Sequence, residues 1–413
     1  MQTAQQRIAE TAPAFRVEPE IPRMLTMKEE LAINRAAMAR MPSPEMKYRV
    51  AHNLFLLDYF DEAIALLREI DSQVDDFRFP HMLSTALLAR ERQEDTLDAI
   101  RVSTRAADLA TRESDRARAL ATLGKAEIRL ERFDAARSSL MAALDANITN
   151  KDAYKRLAML DFQLGRIEPA LEFADAMVAQ GVAHARVLGV RPLALARLGR
   201  IDEARVAFGF EDHLHEAILP APPGWDSIEA FNHDLAVELL NHPGIRYERY
   251  GVASAHSWRI DEPCLARSKM MPVLRRLLAD EIARCVTNLK DTNDAWTAGL
   301  RPNTHLHHWS VITDGDGFEE WHVHQNGWLS GAYYVDIPDF ILNGQDKGGC
   351  VAFGLPEGLV GEEAQAKFGM RVFRPQSGLV MLFPSHSFHR TYAHRGDRRR
   401  ICVAFDVAPH DNQ

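Results

Sequence analysis

The chain has 413 residues, of which 46% are hydrophobic and 26% charged, and carries a formal net charge of −9. That length allows two or three domains, and the acidic balance gives no overall field favouring nucleic acid or an anionic membrane. Four scattered cysteines without a Cys-x-x-Cys pair argue against a disulfide framework or a zinc–thiolate site. With no apolar signal core and no run long enough to span a bilayer, a cytoplasmic location is expected.

Residues 1–42 have no clear period and contain Pro13, Pro19, Pro22 and Pro42. They read as a loosely attached leader with one helix near Met27 to Arg40. From Ser43 the pattern is helical and repetitive. Leu57, Leu130, Leu164 and Leu198 are each followed six positions later by an alanine, and the last three are 34 residues apart (164 − 130 and 198 − 164). A degenerate copy, Leu87 to Ala107, fills the gap between the first and second. Paired helices at this period are the tetratricopeptide signature. The leucine closes the first helix and the small alanine lets the second approach. The expected result is an all-α solenoid of about five repeats over residues 43–216, with a concave face.

Leu219-Pro220-Ala221-Pro222-Pro223-Gly224 breaks the helical pattern, so residues 217–225 read as a linker. The expected second domain is 226–413. It opens with two helical patterns, Ser227 to Asn241 and Pro272 to Leu289. Short β-branched and aromatic runs then predict strands at His305–Thr313, Trp328–Val335, Cys350–Phe353, Gly378–Phe383 and Arg400–Val407. This reads as an antiparallel jelly roll of about 110 residues covered by the two helices.

Chemistry concentrates in three stretches of that domain. In His322-Val323-His324 the two imidazoles fall on one face of an extended chain, where they can share a first-row metal ion. A third ligand is expected from His389, after the Phe383-Pro384-Ser385 turn, with His386 as the local competitor. Arg400 opens a strand eleven positions later (400 − 389), on the same face as the smaller Cys402 and Ala404. This order points to an iron oxygenase binding an α-keto diacid, whose far carboxylate needs a charge-assisted, bidentate partner. Arg398 has the same parity and is the reserve anchor; Arg395 and Arg399 read with it as a solvated hairpin turn. Tyr334 is placed to donate its hydroxyl to the same carboxylate, with core packing as the alternative. His305, His307 and His308 read as strand residues lining the cavity, with a second metal site as the alternative. Asp314, Asp316, Glu319 and Glu320 are expected in a loop.

Three motifs together, His322 to Val335, Leu382-Phe383-Pro384-Ser385-x-x-x-His389 and Arg400-Ile401-x-x-Ala404-Phe405-Asp406, resemble the 2-oxoglutarate/Fe(II) oxygenase domain that is often joined to tetratricopeptide repeats. The resemblance covers roughly Asp226 to Pro409. It implies a double-stranded β-helix, one Fe(II) held by His322, His324 and His389, and 2-oxoglutarate as cosubstrate anchored by Arg400. The usual triad is two His and one carboxylate, and here His324 takes the carboxylate position. A dianionic cosubstrate offsets the extra positive charge. The expected protein is a hydroxylase acting on a protein or peptide recruited by the concave repeat surface, without nucleic-acid or membrane partners. Two other readings compete: a repeat adaptor with a non-catalytic metal-binding jelly roll, and a cupin-like metalloenzyme that does not use 2-oxoglutarate.

Overall fold

The computed structural model describes residues 15–289 and 294–409. Helix α1 (Met27–Arg40) is followed by five antiparallel helix pairs: α2 (Pro44–Leu56) with α3 (Phe60–Asp71), α4 (Arg78–Ala89) with α5 (Gln93–Leu109), α6 (Glu113–Arg129) with α7 (Phe133–Ala146), α8 (Lys151–Gln163) with α9 (Ile167–Ala179), and α10 (Ala185–Arg197) with α11 (Ile201–Phe208). The repeating leucine caps the first helix of its pair. The next residue turns left-handed, at Gly165 (φ 69°) and Gly199 (φ 77°) without steric penalty, and at Asp58 (φ 66°) and Glu131 (φ 57°) despite a Cβ. Ala63, Ala136, Ala170 and Ala204 are buried between the paired helices. Each repeat thus hides its apolar face only by stacking on its neighbours.

The C-terminal half is built on β1 (Arg16–Pro19), β2 (His215–Ile218), β3 (Arg246–Tyr247), β4 (Ser254–Ile260), β5 (Asn303–Glu319), β6 (Leu329–Asp336), β7 (Val351–Phe353), β8 (Arg371–Phe373), β9 (Leu379–Pro384), β10 (His389–Thr391) and β11 (Arg400–Pro409). The large sheet has the order β2-β9-β6-β11-β5-β4-β3, with β1 added in parallel to β5; the small sheet is β10-β7-β8. Strand alternation sorts the side chains of β11. Ile401, Val403, Phe405 and Val407 join a core with α12 (Ile228–Leu240) and α13 (Met271–Thr287). Cys402 and Ala404 face the other way, into a core shared with Phe353 of the small sheet and with Leu193, Leu195 and Phe208 of the last repeat. The large sheet is therefore covered on one face by its own helices and on the other partly by the solenoid.

Three expectations are corrected. The stretch 217–225 does not separate two independent domains. His215–Ile218, expected to fall across the end of the repeats and the start of the linker, is an edge strand antiparallel to β9, and Leu219 N donates to Gly378 O at 3.0 Å. The Pro-rich segment merely turns the chain from β2 into α12. The leader is also not loose beyond residue 15; residues 1–14 lie outside the described residues. Arg16–Pro19 pairs with Asn303–Leu306, and Leu31 of α1 packs with Val50 and Leu54. Pro19 ends that edge strand, a position that proline tolerates. Finally, β5 continues past Thr313 because β4 keeps pairing with it (Ala255 opposite Phe318, Ser254 opposite Glu319). Asp314, Asp316 and Glu319 are consequently strand residues.

The sheet half touches the solenoid near both ends. Arg246 Nη1 donates to Leu56 O at 2.8 Å, and Tyr250 N to Asp58 Oδ2 at 3.3 Å. At the other end Gly189 of α10 lies so close to His386 O and the Phe388 ring that a Cβ would sit 3.4 Å from each. No described helix is long and apolar enough to cross a membrane.

Candidate metal centre

The chain leaves β5 at Glu319 and passes beside the turn that follows β9. His322 N donates to His389 O at 3.0 Å, His389 N returns the bond to His322 O at 3.1 Å, and His324 N donates to Ser385 O at 3.0 Å. This short antiparallel ladder, rather than a full strand, sets the His-x-His pair against His389. The ring centroids are 4.2 Å apart for His322/His389, 5.0 Å for His324/His389 and 5.3 Å for His322/His324. One potential ligand atom from each residue lies within 4.8 Å of the other two. No other group of three such residues occurs among the described residues.

The hydrogen bonds fix which nitrogen each ring offers. His322 Nδ1 donates to Glu320 O at 2.8 Å and His389 Nδ1 to Ser387 O at 3.0 Å. His324 Nδ1 lies 2.7 Å from Asp406 Oδ1. A carbonyl or carboxylate oxygen can only accept here, so each Nδ1 carries a proton, which makes Nε2 the lone-pair nitrogen of the neutral ring. Burial, then the neighbouring imidazoles His322 and His324, holds His389 well below the ordinary histidine pKa. Burial likewise lowers His322. Neutral rings with free lone pairs are what a metal requires, so the donor set fits a first-row ion.

Asp406 was not singled out by sequence reasoning, although it shares the face of Arg400, Cys402 and Ala404. It is buried, and Ser330 Oγ donates to it at 2.8 Å. Burial favours its neutral form, but His324 and Ser330 more than offset this and leave its pKa below the usual carboxylate value. Around the rings stand Trp309, 5.3 Å from His324, and Phe383, 4.8 Å from His389. His324 and His389 are buried, whereas His322 is half-buried and marks the open edge.

Arg400 is 3% exposed, with its Nε lacking any hydrogen-bond partner and no carboxylate at ion-pair distance among the described residues. Its guanidinium lies 5.3 Å from the centre of the buried Tyr334 ring, and its Nη1 is 3.8 Å from Cys402 Sγ. Burial opposes its charge, but the neighbouring Cys402, Tyr334 and Glu319 raise its pKa, so it stays cationic. Arg398 is instead on the surface, 3.6 Å from Asp336. His386 turns away from the triad, with Nε2 3.3 Å from Phe208 O. His305, His307 and His308 do not gather into a second site: His307 pairs with Glu20 at 3.2 Å, while His308 is buried on the opposite face of β5.

Residues 307–406 match the family model described as "Putative 2OG-Fe(II) oxygenase". That span contains the triad, Tyr334, Arg400 and Asp406. No curated protein matches the chain. Solved structures similar to part of it include MamA (23% identity, TM-score 0.33, covering 39% of this chain and 91% of that one). A thermophilic TPR protein of Thermus thermophilus shows 21% identity and a TM-score of 0.32, covering 44% and 87%. PilF of Pseudomonas aeruginosa shows 19% identity and a TM-score of 0.36, covering 44% and 79%.

Proposed function

We propose that the chain is a 2-oxoglutarate- and Fe(II)-dependent oxygenase that hydroxylates a protein or peptide brought to it by the repeats. The family match of residues 307–406 supports the reaction class. The observation that carries the site assignment is three clustered imidazoles, each with Nδ1 engaged in a hydrogen bond and Nε2 left as the nitrogen able to bind a metal. In this reading His322, His324 and His389 hold the metal. Arg400 pairs with the distal carboxylate of 2-oxoglutarate, and Tyr334 packs against that arginine. Iron with this cosubstrate and O₂ would supply oxidative decarboxylation to succinate and CO₂, one oxygen atom entering succinate and the other the substrate C–H bond.

The protein's own work is coordination, orientation and exclusion of water. Asp406 sets the tautomer of His324 and places a negative charge one imidazole out from the metal. A site with two His and one carboxylate would carry that charge on the metal itself. Arg400 is buried and cationic with no carboxylate at ion-pair distance among the described residues, so an entering carboxylate exchanges water for a charge-assisted partner. Trp309, Phe353 and Phe383 keep the surroundings of the rings apolar. Succinate formation measured with and without Fe(II) tests the reading. Iron-dependent succinate that disappears in His389→Ala supports it; succinate unchanged by that substitution contradicts it.

A further inference from the structure

Five cations occupy the first helices of three consecutive repeats: Lys125 and Arg129 on α6, Lys155 and Arg156 on α8, and Arg186 on α10. Counted back from the leucine that closes each helix, they stand at 12 (198 − 186), 9 (164 − 155), 8 (164 − 156), 5 (130 − 125) and 1 (130 − 129). Those offsets differ by 3, 1, 3 and 4, which is the spacing of one helix face. Because the helices stack in register, the five form a diagonal row across the repeats. It starts near the end of α6 and finishes near the start of α10.

The row holds more cations than anions: Asp152 and Glu91 stand among its five positive charges. Arg156 pairs with Asp152 at 2.9 Å and Arg129 with Glu91 at 3.7 Å. Lys125, Lys155 and Arg186 have no carboxylate at ion-pair distance among the described residues, yet all three are half-buried. Arg186 Nε is buried with no hydrogen-bond partner. Burial, and then Arg156 and Arg129, push Lys125 down to about 8; burial, and then Arg186 and Arg156, push Lys155 to about 8. Half-buried like charges that outnumber the carboxylates among them, here Asp152 and Glu91, are costly unless a ligand supplies more negative charge.

The row also points somewhere. Arg186 Nη2 donates to Gln325 Oε1 at 3.2 Å, and Gln325 directly follows His324. The row therefore ends beside the half-exposed edge of the imidazole cluster. We propose that the substrate is an extended, acidic protein segment whose carboxylates pair with Lys125, Lys155 and Arg186 as it runs along the repeats to the His322 edge. The direction toward His322 rests on the oxygenase reading; the binding itself does not. A repeat groove accommodates an extended chain. The net charge of −9 over the whole chain opposes a long polyanion such as nucleic acid, which would extend beyond the row.

The test is fluorescence anisotropy of a labelled oligo-glutamate peptide with the full-length chain, without iron or cosubstrate. The peptide should bind, and more weakly as salt rises. The double variant Lys125→Glu/Lys155→Glu should lose at least about tenfold in affinity, about 1.4 kcal/mol, whereas Lys367→Glu, outside the row, should lose nothing. Circular dichroism checks that the double variant is folded, and Lys155→Gln with a smaller loss serves if it is not. The proposal is overturned if the peptide fails to bind at low salt or if binding is unchanged in the charge variants. Tighter binding of a thymidine oligonucleotide of equal charge also overturns it. A chain that binds the peptide but makes no succinate would refute the oxygenase reading alone.

Discussion

His324 Nδ1 and Asp406 Oδ1, 82 residues apart in the chain, meet at 2.7 Å in the interior. This contact orients, through a buried carboxylate, the imidazole proposed to face the metal. Outer partners of this kind typically contribute about 10- to 100-fold in metal affinity. Asp406→Ala should weaken Fe(II) by roughly that factor, and Asp406→Asn by less, because an amide oxygen still accepts from Nδ1–H. Anaerobic iron titration reads both; equal affinity in Asp406→Ala and wild type would remove Asp406 from the account.

The two arginines near the start of β11 should behave differently. Arg400→Ala removes a buried cation and should weaken 2-oxoglutarate by at least about tenfold, while Arg400→Lys recovers only part because a point charge does not match a bidentate fork. Arg398→Ala should leave affinity unchanged, since that side chain is exposed beside Asp336. Anaerobic calorimetry with an inert metal distinguishes them. A loss confined to Arg398→Ala would move the anchor to the surface.

His308 predicts acid sensitivity. It is 5% exposed, neither ring nitrogen has a hydrogen-bond partner, and burial followed by Arg275 and His307 pushes its pKa to about 3. The unfolded chain binds this proton below about pH 6.5 and the native protein does not, so stability is lost as pH falls from that value toward 3. At about pH 5 the loss is on the order of 2 kcal/mol. His308→Leu should therefore narrow the difference in Tm between pH 7 and pH 5. An unchanged difference would show that the ring is already protonated in the fold.

The two halves should not part cleanly. Residues 226–413 alone lack β2 and uncover the apolar face that Leu193, Leu195 and Phe208 cover. That fragment should aggregate or lose cooperative melting, as seen by size exclusion and circular dichroism. A monomeric fragment with the melting behaviour of the full chain would make the shared core unimportant.

Much of this arrangement is legible in the sequence. The 34-residue leucine and alanine pattern encodes a turn and a close helix contact, both local features. The long β5, β6, β9 and β11 are rich in β-branched and aromatic residues, and parity alone sorts Arg400, Cys402 and Ala404 onto one face. Asp406 has the same parity, so its position was available, but its role depends on His324 reaching it from a distant segment. The strands His215–Ile218 and Arg16–Pro19 were hidden because four-residue edge strands have almost no period, and each gains its meaning only from its partner. The cationic row was hidden because its spacing appears only when three helices are aligned on their closing leucines.

The central claim is that His322, His324 and His389 form one iron site to which 2-oxoglutarate is added through Arg400. Anaerobic calorimetry, with Fe(II) titrated first and 2-oxoglutarate second, tests it most directly. The account predicts one Fe(II) per chain and cosubstrate binding that depends on iron. His389→Ala should lose both events, and Arg400→Ala only the second. Wild-type iron affinity in His389→Ala, or 2-oxoglutarate binding untouched by Arg400→Ala, would contradict it.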